Sequence, residues 1–369
     1  MTALRDGSRG RPEIKRGETD MKKKLLALLL ACVMIVGLAA CSGGGTTESQ
    51  NPGNDGTPTG ESQPVEPSDD ATEPPAGGGG TYVIGICQQM PHVALDAATQ
   101  GFKDALTDAG LNVKFKTENA AGEPANCATI VDGFVAEGVD LILANATYPL
   151  QAAASATSTI PILGTSITDY ATALSISDWT GTVGGNISGT SDLAPLDQQA
   201  AMIKELFPDA KNVGLLYCSG EPNSVYQITV VQEALEGMGM TCTRYSFTDA
   251  NDLQAVTQTA CDNADVIDIP TDNTAATYTD VIANVVLAAK VPVVAGEEGI
   301  CSGCGVVTLS ISYYDLGYAT GKMAAEILAN GSDISAMPVQ FAPEVTKKYN
   351  AANCEALDIT VPDDYVAIE

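Results

Sequence analysis

The chain has 369 residues, 45% of them hydrophobic, enough for about two packed domains beyond any tail. It carries 46 acidic against 18 basic side chains, a net charge of −28. That balance argues against nucleic acid and anionic membrane surfaces as partners, and Arg244, the only arginine after residue 40, leaves no guanidinium clamp for a phosphorylated ligand.

Residues 1–20 are polar and end before a second methionine, so they read as a mis-annotated extension. From Met21 the pattern is that of a secretory signal over 21–40: Lys22, Lys23 and Lys24, then an apolar run from Leu25 to Leu38 that is shorter than the roughly 20 residues of a spanning helix. It ends Leu38-Ala39-Ala40-Cys41, which resembles the lipobox of bacterial lipoproteins, with Cys41 as the lipidated residue. Residues 41–80 are Gly, Ser, Thr, Pro and acid; they cannot bury a core and are expected to form a disordered tether.

The body alternates strands and helices. Strands are expected over Tyr82–Cys87, Leu111–Lys116, Leu141–Ala144 and Ile160–Leu163, with helices between them, including Ala125–Glu137. The stretch Thr165–Asp192 is polar and reads as the crossing to a second α/β block. There, a helix starting at Asp192 or Leu193 runs to Phe207, and strands follow at Val213–Tyr217, Thr241–Tyr245, Val266–Ile269 and Val291–Ala295. Between these strands, helices are expected over Val225–Met238, Leu253–Cys261 and Ala275–Ala289. Leu316, Met323, Ile327 and Leu328 mark a late helix that packs back on the first block. The expected architecture is two doubly wound parallel-sheet lobes with a hinge: residues 81–190 plus about 303–341, and residues 191–302 plus about 342–369.

In open α/β sheets ligands sit at the carboxyl ends of strands. In the first lobe those ends carry Gln88, Gln89, His92 and Asp96; Asn145, Thr147 and Tyr148; and Thr165, Ser166, Thr168 and Asp169. In the second they carry Ser219, Glu221, Asn223 and Ser224; Thr271, Asp272 and Asn273; and Glu297 and Glu298. Hydroxyls, amides and carboxylates converge without a lysine or arginine. Such a wall suits a zwitterionic solute, its ammonium facing Asp272 or Glu297 and its bulk against Tyr148 or Tyr170. Asn, Asp, Ser and Thr also serve as helix N-caps. Cys301-Ser-Gly-Cys304 has CxxC spacing, but with no second such pair and a single histidine neither a metal nor a cofactor is expected.

The segments HVALD (92–96), GGNISGTSD (184–192), LLYCSGEPNS (215–224), PTDNT (270–274), VPVVAGEEG (291–299) and SYYDLGYATGKMAAEIL (312–328) resemble, in order, ABC transporter substrate-binding proteins of the tryptophan/tyrosine-binding type. The resemblance implies the type I periplasmic-binding fold. It also implies a lipid-anchored, monomeric extracytoplasmic receptor that captures an aromatic amino acid for ABC permease and ATPase subunits. Cys87, Cys218, Cys301 and Cys304 depart from the aliphatic or small residues expected there. Two other classes stay open: a sensing subunit for a membrane kinase, and an extracytoplasmic enzyme using His92 and Asp96 as a general-base pair.

Overall fold

The computed structural model describes residues 80–342 and 344–368, so the expected extension, signal, lipid site at Cys41 and nearly all of the tether lie outside the described residues. Continuous apolar runs become strands covered on both faces, and the segments between them, apolar on one side, become the covering helices. The first lobe is built from β1 (Tyr82–Gln88), α1 (Val93–Asp108), β2 (Val113–Asn119), α2 (Pro124–Glu137), β3 (Leu141–Asn145), α3 (Thr147–Ala156), β4 (Ile162–Ile167), α4 (Tyr170–Leu174) and β5 (Ile187–Ser191). The chain then enters the second lobe. There it forms α5 (Leu196–Leu206), β6 (Asn212–Cys218), α6 (Pro222–Gly237), β7 (Thr241–Phe247), α7 (Ala250–Cys261), β8 (Val266–Ile269), α8 (Asn273–Thr277), α9 (Thr279–Ala289), β9 (Val293–Ala295), α10 (Glu298–Gly303) and β10 (Val307–Ser310). It returns to the first lobe for α11 (Tyr313–Asn330) and β11 (Gln340–Phe341), and ends in the second with β12 (Thr346–Tyr349), α12 (Ala351–Ala356) and β13 (Val366–Ala367).

The first sheet has the order β11-β5-β4-β3-β1-β2, with every pair parallel. The second has the order β13-β12-β10-β9-β8-β6-β7, in which β10 and β12 run antiparallel. Three crossings therefore join the lobes. Two corrections to the expected boundaries follow. Thr165–Asp192 is not the crossing: it holds the end of β4, α4 and all of β5, which is hydrogen-bonded between β4 and β11, and the chain leaves the lobe only at residues 192–195. The second correction concerns residues 303–310, which stay in the second lobe because β10 pairs with β9 and β12, so the return begins at Ile311. The helix expected over Ala275–Ala289 is two helices, broken where Tyr278 leaves helical dihedrals.

Each sheet is sandwiched. On one face of the first, Ile84, Ile86, Leu141 and Leu143 pack with Phe102 and Leu106 of α1 and with Met323 of α11; Val131 and Phe134 of α2 and Leu150 of α3 cover the other. Full burial of such a side chain contributes about 1.5–3 kcal/mol. Tyr170, expected at the ligand, is buried in this core and stacks on Trp179 at 6.3 Å between ring centroids. Helices α1 and α11 meet backbone to backbone: a Cβ on Gly101 would lie 2.1 Å from the Tyr314 carbonyl oxygen, and one on Gly317 1.9 Å from that of Ala98.

Candidate functional site

The strand ends of both sheets face one interlobe cleft. Two first-lobe residues at these ends hold left-handed backbones although neither is glycine: Ala146 after β3 (φ 92°) and Ser166 in β4 (φ 56°). Such strain costs on the order of 1–3 kcal/mol per residue and concentrates at functional sites.

Within the cleft lies a small chamber of about 10 Å³, room for about one water. Its wall takes His92, Ser166 and Thr168 from the first lobe, Asp192 from the first crossing, Asn223, Asp272 and Glu297 from the second lobe, and Tyr313 from the return. Three of its polar atoms are buried without a hydrogen-bond partner: Ser166 Oγ, Asp192 Oδ1 and Asn223 Oδ1. The Asn223 amide is oriented by its surroundings. Its Nδ2 faces the Thr271 carbonyl at 3.0 Å and a Glu221 carboxylate oxygen at 3.3 Å, both acceptors, so Oδ1 is the atom left to the chamber.

The carboxylates differ in what already holds them. Asp272 N-caps α8, accepting from Ala275 N at 2.8 Å and from Cys218 N at 2.7 Å. Glu297 N-caps α10, accepting from Gly299 N at 2.7 Å and from Ile300 N. Asp192 accepts from the Tyr313 hydroxyl at 2.9 Å through Oδ2 only. Burial raises the pKa of all three, to about 7 for Asp272 and Glu297; Glu221 adds to the shift at Asp272.

Two hydrogen bonds between side chain and loop span the cleft. The Tyr148 hydroxyl donates to the Gly220 carbonyl. His92 Nε2 meets Asn273 Oδ1 at 3.2 Å. Asn273 Nδ2 donates to Glu221 at 2.6 Å, which turns its oxygen toward His92 and makes Nε2 the protonated nitrogen. Burial lowers the His92 pKa, favouring this neutral form. Glu221 itself is consumed by second-lobe donors: Asn273 N, Thr274 N and the Thr274 hydroxyl at 3.1, 2.9 and 2.7 Å.

Several expected residues are occupied elsewhere. Gln88 accepts from Thr99 Oγ1 and donates to Asp96 Oδ1, both at 2.7 Å, so this pair ties β1 to α1 and lines a separate hollow beside the end of β2. With Asp96 so engaged, His92 and Asp96 do not form a hydrogen-bonded base pair. Gln89 accepts from Tyr148 N at 3.2 Å, and Thr147 is buried beside it in the first turn of α3. Asp169 caps α4, and Ser219 is exposed and donates to the Phe247 carbonyl. Ser224 is buried and accepts from Asn223 Nδ2 at 3.3 Å. Asp192 and Tyr313 were not expected at the site. The available signal was a charged residue closing β5, which reads equally well as a helix start.

Beside the chamber opens a larger cavity of about 730 Å³ that shares His92, Glu297 and Tyr313 with it. One wall is apolar, from Val93, Ala94 and Ala97 of α1 and Ile311; the rest is polar, with Glu298, Asp315, Glu344 and Lys348 among serine, threonine and tyrosine hydroxyls.

The sequence matches the family of ABC transporter substrate binding proteins over residues 83–368. It is 29% identical over 341 residues to a "Tyrosine-binding protein" of Clostridioides difficile, covering 91% of this chain and 93% of that one. Among solved structures it resembles an ABC domain from Streptococcus pneumonia in complex with L-Trp (TM-score 0.73, 31% identity, 77% of this chain and 97% of that one). It also resembles the ligand-free, open structure of a substrate binding protein with adhesive properties from Clostridium difficile (TM-score 0.61, 32% identity, 78% and 99%). Its two parallel-sheet lobes are those of type I periplasmic binding proteins, and the chain belongs to the ABC transporter substrate-binding protein family.

Proposed function

We propose that this protein captures an aromatic amino acid between its lobes and delivers it to an ABC permease and its ATPase. The observation that carries this reading is the trio of unpartnered atoms at Ser166, Asp192 and Asn223, contributed by three different segments around one chamber. An ammonium presents three donors, and the trio offers three acceptors, one of them on a carboxylate. Asp192 replaces Asp272 and Glu297 as the main ammonium partner, because backbone N–H groups already engage those two. The ring of the ligand would occupy the larger cavity against α1 and Tyr313 rather than Tyr148 or Tyr170. That relatives are a tyrosine-binding protein and a protein in complex with L-Trp supports the aromatic class.

We infer as well that the mature chain starts at Cys41, carries lipid there, and works as a monomer whose sequence through residue 80 spaces the receptor from the membrane. His92, committed to Asn273, is read as a closing contact and not a catalytic base.

Mass spectrometry of the natively purified protein, followed by calorimetry with L-tyrosine and L-tryptophan, tests the reading. Asp192→Asn is expected to weaken binding by on the order of 2–5 kcal/mol, because it removes the charge partner of a desolvated ammonium. Binding of neither amino acid would refute the reading, and a change under about 0.5 kcal/mol would refute the ammonium site.

A further inference from the structure

We propose that the cleft reads only the ammonium of its ligand by charge, so that its substrate class extends to aromatic monoamines that lack a carboxylate. This rests on the reading above and narrows it.

The argument is a census of donors. A ligand carboxylate needs cations or free N–H and O–H groups. Among the described chamber side chains, the Tyr313 hydroxyl is spent on Asp192 at 2.9 Å. His92 is spent on Asn273, and the Thr271 hydroxyl on the Gly296 carbonyl at 3.2 Å. Asn223 Nδ2 faces three acceptors of its own lobe. The neutral hydroxyls of Ser166 and Thr168 stay uncommitted as donors, while Asp192 Oδ1 and Asn223 Oδ1 accept.

Charge points the same way. The one cation around either cavity is Lys348, and it is paired with Glu298 at 2.7 Å. Arg244 lies on the exposed side of the second lobe, bonded to Gln232 and Thr229. Asp192, Asp272 and Glu297 face the chamber, and a carboxylate brought among them meets like charge without compensation. An ammonium on a bulky body meets the same three acceptors with or without a carboxylate beside it. The cavity beside the chamber, at about 730 Å³, is large enough for the aromatic body.

Calorimetry on the purified protein with L-tyrosine, tyramine and 3-(4-hydroxyphenyl)propionate, and with the matching tryptophan series, separates the outcomes. The amine should bind within about tenfold of its amino acid or tighter, and the deaminated acid at least about a hundredfold more weakly. Asp192→Asn should weaken amine and amino acid by the same factor. An amine more than tenfold weaker than its amino acid overturns this inference and leaves the amino-acid receptor standing. Amine binding without amino-acid binding sustains the inference and overturns the amino-acid reading. No binding by any of them overturns both.

Discussion

Asp192, Asp272 and Glu297 are three carboxylates buried against one chamber, and burial holds their protons above the ordinary carboxylate range, to about 7 for the last two. An ammonium binds the ionised forms. Lowering the pH through 7 therefore protonates Asp272 and Glu297, takes negative charge from the chamber around the ammonium and weakens binding, while the amine stays charged throughout. Affinity is expected to be at least about tenfold higher at pH 8 than at pH 5.5, with protons released on binding below pH 7; equal dissociation constants at the two values would contradict this. The stability of the unliganded protein moves the other way. A raised folded pKa contributes stability that is complete below the unfolded carboxylate value and is lost as pH rises through about 7, so the ligand-induced rise in Tm should be larger at pH 8. At this scale the sequence was half legible. Ser166, Asn223, Asp272 and Glu297 stand out because each lies at or a few residues beyond a strand end without a basic residue among those ends. Gln88 and Asp96 carry the same signal and yet bond each other, since their spacing across the start of α1 brings amide to carboxylate. Asp192 was hidden because a carboxylate ahead of an apolar helix has the same local pattern whether it caps that helix or faces a ligand.

Helices α1 and α11 join elements more than 200 residues apart, and their contact depends on missing side chains. Gly317→Ala would drive a methyl group into the Ala98 carbonyl of the partner backbone, which cannot rotate aside. The expected cost is about 1–3 kcal/mol, read as a lower midpoint in urea. Gly133→Ala on α2 is the matching case with open space around the added carbon, and it should stabilise by up to about 1 kcal/mol through helix propensity. Equal midpoints for the two variants would show that the helix contact yields at no cost. The apolar stripe of Leu316, Met323, Ile327 and Leu328 made α11 and its destination readable from sequence. Its glycine contact was not readable, because the need for glycine comes from a partner backbone rather than from anything local. Strand cores such as Val266–Ile269 were legible for the opposite reason: four consecutive apolar or buried positions between turns admit few other structures.

Among the described residues each lobe has its own apolar cores, while the cleft is spanned by polar contacts that include Tyr148 to Gly220 and His92 to Asn273. Polar contacts of this kind exchange with water at small net free energy, about 0.5–1.5 kcal/mol each, so a ligand touching both lobes can set their closure. The receptor's place at a membrane rests on a different part of the chain. Cys41→Ser should move the protein from the membrane fraction to the soluble one, as no described helix is long and apolar enough to span a bilayer; unchanged fractionation would remove the lipid anchor from the proposal. Two lobes were readable from the doubled βα rhythm, but the strands β5 and β10 were not, because they are short and their sheet is decided by distant partners, Gln340–Phe341 and Thr346–Tyr349. Those late partners impose an order of assembly. A chain emerging amino end first presents five strands of the first sheet while α11 and β11 are still unmade, and the whole of residues 196–310 must follow before that cover arrives. The lobe that starts first is thus completed after most of the other, and in the interval the side chains that Met323 and Ala324 will cover stand open to water.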